Sequence, residues 1–288
     1  MDAFVVILVS AVTAIATLVF VSAGLAVIFG LMRVVNMAHG EFLMVGALTT
    51  TTLVLKLDFP WWLAMMMAPL VGAIIGGVVE ILLVSRIYKR PLVDTLLITF
   101  GLSLVMFQLA VDLFGTTPPG IETPLGAITV GAYSFPAYTF LLLASAVVML
   151  LILYLLFTRT KYGLLARATA QNPAMASALG VPARRINFIT FTLGCALASL
   201  GGAILAPMIS VSPSLGQAFV GQAFMTVVIA GPAFISGTLL SSVLLGGVSN
   251  ALSQGATTLW GVTGLFVVAI AILRFRPLGL SASWKRGL

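Results

Sequence analysis

The sequence predicts an all-α polytopic integral membrane protein with eight to nine transmembrane segments. Of its 288 residues, 61% are hydrophobic and only 7% are charged, whereas soluble domains carry about 25% charged residues. No charged residue occurs from Ile186 to Leu273, and because about 20 apolar residues span a bilayer, this block alone holds several crossings. Helices are expected rather than a barrel, since the apolar runs are continuous and do not alternate with polar residues.

Nine apolar segments, taken in chain order, support this fold class. The seventh is too short to cross about 30 Å of hydrocarbon at about 1.5 Å per residue, and it stops at Gly231 and Pro232. We therefore expect one transmembrane domain over residues 1–288 with eight to nine crossings. The segments are 3–31, 36–55, 61–84, 93–114, 137–157, 187–206, 219–231, 233–253 and 257–273.

Basic residues cluster between these segments and set the orientation. Positive charge favours the cytoplasmic side of a membrane, so the net charge of +7 indicates topology rather than nucleic-acid binding. The N-terminus lies outside if Arg33 is cytoplasmic, the C-terminus lies inside, 115–136 forms an external loop and 158–186 a cytoplasmic loop. The cytoplasmic clusters are Arg86, Lys89 and Arg90; Arg159, Lys161, Arg167, Arg184 and Arg185; and Arg274, Arg276, Lys285 and Arg286.

A polar hexapeptide, NMAHGE, separates the first two apolar segments and contains the only histidine. A charged group at the centre of a bilayer costs about 2.5 to 3.5 kcal/mol, so such residues usually face a protein interior or a water-filled cavity. The spacing places Asn36, His39 and Gly40 on one helix face, while Glu41 points elsewhere. Two interpretations stay open: these four residues line a route through the membrane, or they form a structural polar knot in which Glu41 pairs with Arg33.

This polar break falls early in the first half of the chain, and the Gly231–Pro232 break falls in the second half. Interrupted segments at corresponding places in two halves indicate a transport site between inverted repeats. An inverted repeat with broken helices is therefore a hypothesis for this fold.

Catalytic chemistry is not expected of this chain. One histidine and one cysteine, Cys195, provide neither a multi-histidine metal site nor a nucleophile with its base. No GxxxxGK[ST] phosphate-binding loop occurs. We expect no catalytic residue, no metal site and no bound cofactor.

The cytoplasmic loop 158–186 is amphipathic, and it predicts two short helices. Asn172 and Pro173 mark the end of the first and the start of the second, and Gly180 and Pro182 end the second. This pair of helices is either a simple connector or the contact through which a cytoplasmic motor moves the membrane helices.

Three stretches resemble the LivH-type permeases of branched-chain amino acid ABC importers. They are GLMRVVNMAHGEFLMVGA from Gly30, ITFGLSLVMFQLAVDLFG from Ile98, and ATAQNPAMASALGVPARRINFITFTLGCALASLGGAILA from Ala168. The likeness covers essentially the whole chain. One stretch departs from it: the family has a glycine-rich turn where this chain reads AGPAFISGT from Ala230, which leaves the solute open.

The resemblance implies a multi-pass permease subunit of the bacterial inner membrane, which works with a second homologous permease. It also implies two cytoplasmic ATP-binding subunits, which would use the ATP and Mg²⁺, and a periplasmic or lipoprotein solute-binding receptor. Asn36, His39, Gly40 and Glu41 match the family's polar break near the route. The residues that would dock in a groove of the ATPase are Ala170, Asn172, Ala176, Leu179 and Gly180.

The expected function is inward transport of branched-chain or related amino acids by alternating access, driven by ATP hydrolysed on other chains. One alternative is a urea or short-amide permease subunit of the same family. Another is an ion-coupled secondary transporter, although such carriers often place several acidic groups at mid-depth and the second half here has none. A passive channel for a small polar solute is a third class, and it would need no coupling loop.

Overall fold

The computed structural model describes residues 2–88, 90–130 and 133–281. Eight helical spans in this part of the chain are long and apolar enough to cross a membrane, and a ninth, shorter apolar helix is Leu215–Ala230. The all-helical fold with eight to nine segments is confirmed. The helices are α1 Asp2–Met32, α2 His39–Leu57, α3 Trp61–Val79, α4 Ser85–Ile87, α5 Leu92–Phe114, α6 Tyr138–Arg159, α7 Lys161–Gln171, α8 Pro173–Ala178, α9 Ala183–Leu205, α10 Leu215–Ala230, α11 Phe234–Gly255 and α12 Thr258–Phe275.

Two local features were not predicted from the sequence. A π-helix, Glu80–Val84, joins α3 to α4, so that one span runs over Trp61–Ile87. The external loop carries an antiparallel hairpin of β1 Ala127–Val130 and β2 Tyr133–Pro136. Four-residue strands are too short to give a clear alternating pattern. Three of the basic residues used to predict the orientation, Lys89, Lys285 and Arg286, lie outside the described residues.

The short helix α10 follows a partly buried link. Its 16 residues span about 24 Å at 1.5 Å per residue, less than the hydrocarbon thickness of about 30 Å. Residues 206–214 connect it to α9, and Ala206 and Pro213 within this link are buried. Irregular backbone is tolerated at membrane depth where protein covers it. With α10 counted as a crossing, four segments separate Arg185 from Arg274, so the positive-inside rule is satisfied at both.

The helix packing agrees with the hypothesis of an inverted repeat. The contact of α1 with α11 corresponds to the contact of α9 with α3. In the same way, the contact of α2 with α9 corresponds to the contact of α10 with α1. Exchanging α1, α2 and α3 with α9, α10 and α11 therefore preserves the contacts. Five spans precede α9, and because this number is odd, the second half runs through the membrane in the opposite direction.

Two glycine pairs hold the halves together at close range. A Cβ atom on Gly24 would lie 2.2 Å from the carbonyl oxygen of Gly194, and one on Gly40 would lie 2.2 Å from that of Gly216. A Cβ atom on Gly194 would in turn meet the backbone of Gly24, and one on Gly216 would meet the backbone of Gly40. Small residues allow such close backbone approach between membrane helices. The two halves thus meet where α1 contacts α9 and where α2 contacts α10.

Candidate functional site

The polar hexapeptide forms the turn between α1 and α2. The helix α1 ends at Met32, Arg33 adopts a left-handed conformation with φ 55°, and the backbone N–H of Ala38 donates to Asn36 Oδ1 at 3.1 Å. The helix α2 begins only at His39. Asn36 therefore precedes the helix, and the prediction that it shares a helix face with His39 and Gly40 is wrong. Its side-chain oxygen shapes the turn instead, as asparagine does where a chain enters a helix.

His39 is fully buried and is bonded to α1. Its Nε2 lies 3.0 Å from the carbonyl oxygen of Val21, and because a carbonyl only accepts, Nε2 carries the proton in this contact. Its Nδ1 has no hydrogen-bond partner. Gly40, the next residue, contacts the start of α10 at Gly216. The first turn of α2 is thus wedged between α1 and α10.

Glu41 contacts α5. It is 1% exposed, its Oε1 accepts a hydrogen bond of 2.8 Å from Ser103 Oγ, and its Oε2 has no partner. Arg33 is exposed, and the expected pairing of Glu41 with Arg33 is wrong. A second bond to the same helix runs from the backbone N–H of Met37 to Thr99 Oγ1 at 3.1 Å.

Asn36, His39, Gly40 and Glu41 therefore connect three helices that are distant in sequence, α1, α5 and α10. None of them lines any of the three cavities that lie between α1, α6 and α11. Three of their buried polar atoms are still without partners, namely Asn36 Nδ2, His39 Nδ1 and Glu41 Oε2. The geometry favours the bracing interpretation, and contact with a transported solute stays a prediction.

Three cavities follow one another along a seam between α1, α6 and α11. The cavity on the side predicted to be external, here called the outer cavity, has about 400 Å³ and also meets α10 and α12, and hydroxyl and amide side chains line much of it. The cavity on the side predicted to be cytoplasmic, here called the inner cavity, has about 500 Å³ and also meets α7. Between them lies a space of only about 10 Å³ among apolar side chains such as Ala23, Val27 and Leu150. The lateral contacts of α6 with α1 and α11 are sparse, so the seam is a weakly packed part of the fold.

An aromatic pair closes the inner end of this seam. The rings of Phe157 on α6 and Phe234 on α11 meet edge to face, with centroids 5.2 Å apart and planes at 86°. Both residues line the inner cavity, and Phe234 also lines the small space above it. Gly30 of α1 lies against Phe234, since a Cβ there would come within 2.7 Å of the phenylalanine Cβ. The pair separates the inner cavity from the rest of the seam.

The same aromatic pair is linked to the cytoplasmic helix α7. The ring of Tyr162 lies 5.9 Å from that of Phe157, and its hydroxyl is 2.8 Å from Thr190 Oγ1 of α9. Burial raises the pKa of the Tyr162 phenol above its usual value, which keeps the group neutral. Movement of α7 would therefore bear directly on the residues that close the seam.

The break between α10 and α11 is held by the C-terminal residues of the described chain. The N–H of Leu280 donates to Ile229 O at 2.8 Å, and that of Ser281 donates to Ala230 O at 3.2 Å. Gly231, with φ 78°, lies against Gly279, with φ 81°. This left-handed conformation favours glycine.

The cytoplasmic loop folds as predicted, into α7 and α8. Asn172 caps α8, its Oδ1 accepting from the N–H of Met175 at 2.9 Å, with Pro173 at the start of the helix. Ala170 is partly buried and Ala176 is 4% exposed, so both pack against the rest of the chain. Asn172, Leu179 and Gly180 are exposed, and Leu179 is 78% exposed. Docking of these five residues to an ATPase stays a prediction.

Sequence reasoning missed the seam and its lining residues. Hydroxyl groups such as those of Thr13, Thr139 and Ser249 occur singly within apolar helices, where they form no motif. The signal that was present is the Gly231–Pro232 break, which places Phe234 at the inner end. Within the described ranges, no three His, Cys, Asp or Glu side chains lie close enough together to hold a metal ion.

Known proteins resemble this chain over nearly its whole length. It is 24% identical over 286 residues to the probable branched-chain amino acid transport permease protein LivH of Methanocaldococcus jannaschii, covering 93% of this chain and 90% of that one. It is 26% identical to the high-affinity branched-chain amino acid transport system permease protein LivH of Salmonella typhimurium, covering 92% of this chain and 91% of that one. It is also 26% identical to the high-affinity branched-chain amino acid transport system permease protein BraD of Pseudomonas aeruginosa, covering 95% of this chain and 94% of that one. No solved structure matches the chain. Residues 7–273 match the family described as branched-chain amino acid transport system / permease component, and the chain belongs to that family.

Proposed function

We propose that this chain is a membrane-spanning permease subunit of an ATP-driven ABC importer. It moves branched-chain or related amino acids inward by alternating access. The match to a permease family over residues 7–273 carries the proposal, and the cavities and the cytoplasmic helices support its mechanism. The chain itself hydrolyses nothing, and the ATP and Mg²⁺ are used by partner subunits.

Alternating access is supported by the arrangement of the three cavities. An outer and an inner cavity share the helices α1, α6 and α11, and a narrow apolar stretch with the Phe157–Phe234 pair divides them. Opening one cavity while closing the other requires that α6 shift against α1 and α11, the helices with which its contacts are sparse. A receptor and ATP drive this shift if each binds one state more tightly than the other.

Coupling to an ATPase is supported by the surface of α8. Met175 on α8 and Leu179, which directly follows the helix, are 59% and 78% exposed. The N–H of Leu179 still donates to Met175 O at 3.1 Å, so the i, i+4 spacing puts both side chains on one face. On the cytoplasmic side these apolar side chains face water unless a partner covers them. An apolar helix laid into a hydrophobic groove is a common mode of recognition.

The proposed assembly has three kinds of protein partner. We propose a second homologous permease, two cytoplasmic ATP-binding subunits and a periplasmic or lipoprotein solute-binding receptor, in a bacterial inner membrane. The exposed apolar faces of α3, α5, α6 and α12 provide the surfaces for lipid and for the second permease.

Co-purification tests this proposal. The tagged full chain, extracted from its native membrane in mild detergent, is expected to bring with it an ATPase that hydrolyses ATP. The change Leu179→Glu should remove most of that activity, because it places a charge in an apolar contact. Ser177→Glu is the matched control, since Ser177 is equally on the exposed surface of α8 but on another face. Equal ATPase recovery with wild type and Leu179→Glu would reject the contact, and a chain that purifies alone would reject the assembly.

A further inference from the structure

The outer cavity has the composition of a solute site rather than of a packing defect. Its volume of about 400 Å³ lies within the range of about 300 to 1,000 Å³ of small-molecule pockets. Its polar lining comes from hydroxyl and amide groups, and its apolar lining includes Leu18, Met208 and Leu265. No lining residue carries a charge, so the cavity excludes a molecule of net charge, which would be buried without compensation.

One end of the cavity is formed by the first turn of α6. No side chain caps this 22-residue helix, so free backbone N–H groups and the positive end of the helix dipole remain there. Thr139, the second residue of the helix, lines the cavity and is 3% exposed. Its hydroxyl makes no hydrogen bond to any residue in the described ranges. A buried hydroxyl that lines a cavity beside a helix N-terminus suits an anionic group such as a carboxylate.

Another wall, on α1, presents hydrogen-bond acceptors. Thr13 Oγ1 donates its proton to Val9 O at 2.7 Å, and Thr17 Oγ1 donates to Thr13 O at 2.9 Å. Each hydroxyl proton is therefore used within the helix, and the oxygen lone pairs are left for a donor in the cavity. Both threonines line the cavity. Acceptors without a charge suit an ammonium group whose charge is balanced within its own molecule.

We propose that the outer cavity binds a zwitterionic amino acid with an apolar side chain, carboxylate at the α6 N-terminus beside Thr139 and ammonium against Thr13 and Thr17. This inference rests on the proposed function and names the solute class of the permease itself. The apolar lining receives the side chain. Selection for the zwitterion would then occur within the membrane as well as at a receptor.

Thiol protection tests the proposal in right-side-out membrane vesicles holding the full chain. Ser249→Cys places a thiol in the cavity wall, whereas Cys195 is fully buried and out of reach of a membrane-impermeant methanethiosulfonate reagent. L-leucine near its solubility limit should slow labelling at least about fivefold, since protection grows with ligand concentration over Kd. Leucinamide, 4-methylpentanoate and urea, at the same concentration, should leave the rate within about twofold of the unprotected rate.

Thr139→Val in the same background keeps the side-chain shape and removes the hydroxyl. The leucine concentration that gives half protection should rise about tenfold. Thr50→Val is the control: Thr50 is also fully buried, bonds Gly46 O at 3.0 Å and lines none of the three cavities. If Thr139→Val does not reach the membrane, the four-ligand comparison alone decides.

No protection by leucine, equal protection by urea or 4-methylpentanoate, or an unchanged Thr139→Val would overturn the proposal. These outcomes differ from a failure of the proposed function. ATP-driven leucine uptake without protection would refute only the site in the cavity. Protection in a chain that never accumulates solute with ATP would refute only the importer.

Discussion

At the residue scale, the polar hexapeptide is a joint between helices. Asn36 shapes the turn, His39 bonds Val21 on α1, and Glu41 bonds Ser103 on α5. Each contact satisfies a polar group that lipid would leave unpaired at a high cost. Of the two interpretations that the sequence left open, these contacts favour the one in which the residues brace the ends of α1 and α2.

Glu41 gives the sharpest test of this bracing role. Glu41→Ala removes the acceptor of the Ser103 hydroxyl, and an unsatisfied buried group costs about 1 to 3 kcal/mol. We expect a lower midpoint of thermal unfolding and reduced uptake. Glu41→Gln keeps an oxygen that accepts from Ser103, so it should retain both. A Glu41→Gln protein that unfolds like wild type but does not transport would show instead that the carboxylate itself is required.

Gly40 tests the contact between the two halves. Gly40→Ala would place a Cβ 2.2 Å from Gly216 O, and such overpacking costs about 1 to 3 kcal/mol. We expect a clear loss of monodisperse protein in detergent and a lower unfolding temperature. Gly247→Ala in α11 is the control, because nothing lies within 4 Å of its Cβ position. Similar unfolding temperatures for the two variants would contradict the close contact.

At the element scale, three aromatic rings connect the cytoplasmic helices to the seam. Tyr162 of α7 touches Phe157 of α6, which touches Phe234 at the start of α11. After the Gly231–Pro232 break the start of α11 packs back against the end of α10, since a Cβ on Gly237 would lie 2.3 Å from Ala230 O. A movement of α7 would therefore be transmitted through the Tyr162–Phe157 and Phe157–Phe234 ring contacts to the residues that close the seam.

Phe157→Leu tests this closure. An edge-to-face pair contributes about 0.5 to 1.5 kcal/mol beyond its buried area, so its loss shifts an open–closed equilibrium by up to about tenfold. We expect a several-fold rise in ATP-independent leak of radiolabelled leucine from loaded proteoliposomes. Phe140→Leu, on the same helix but 46% exposed, should not leak. Equal leak rates in the two variants would place the barrier elsewhere.

Interactions between residues close in sequence were predictable, whereas interactions between distant residues were not. The break at Asn172 and Pro173 was predictable because the cap lies three residues from the N–H that it accepts, that of Met175. The partner of Glu41 was not, because Ser103 lies 62 residues away and a serine in an apolar helix carries no signal of its own. The seam was hidden for the same reason, since α1, α6 and α11 meet only in the folded chain.

At the scale of the whole molecule, two halves of opposite orientation cross at Gly24–Gly194 and Gly40–Gly216. The helices around these pairs, α1, α2, α9 and α10, pack closely at the two crossings, while α6 contacts α1 and α11 only sparsely. In the proposed function, α6 moves against this closely packed centre. In the proposed function, energy comes from partner subunits and reaches the chain through α7 and α8.

Reconstituted transport tests this account most directly. Proteoliposomes holding the chain with its co-purified partners, ATP inside and receptor with L-leucine outside, should accumulate leucine against its gradient, and a nonhydrolysable ATP analogue should abolish this. The chain reconstituted alone should accumulate none under any ion gradient. Accumulation by the chain alone, driven by a proton or sodium gradient, would contradict the account.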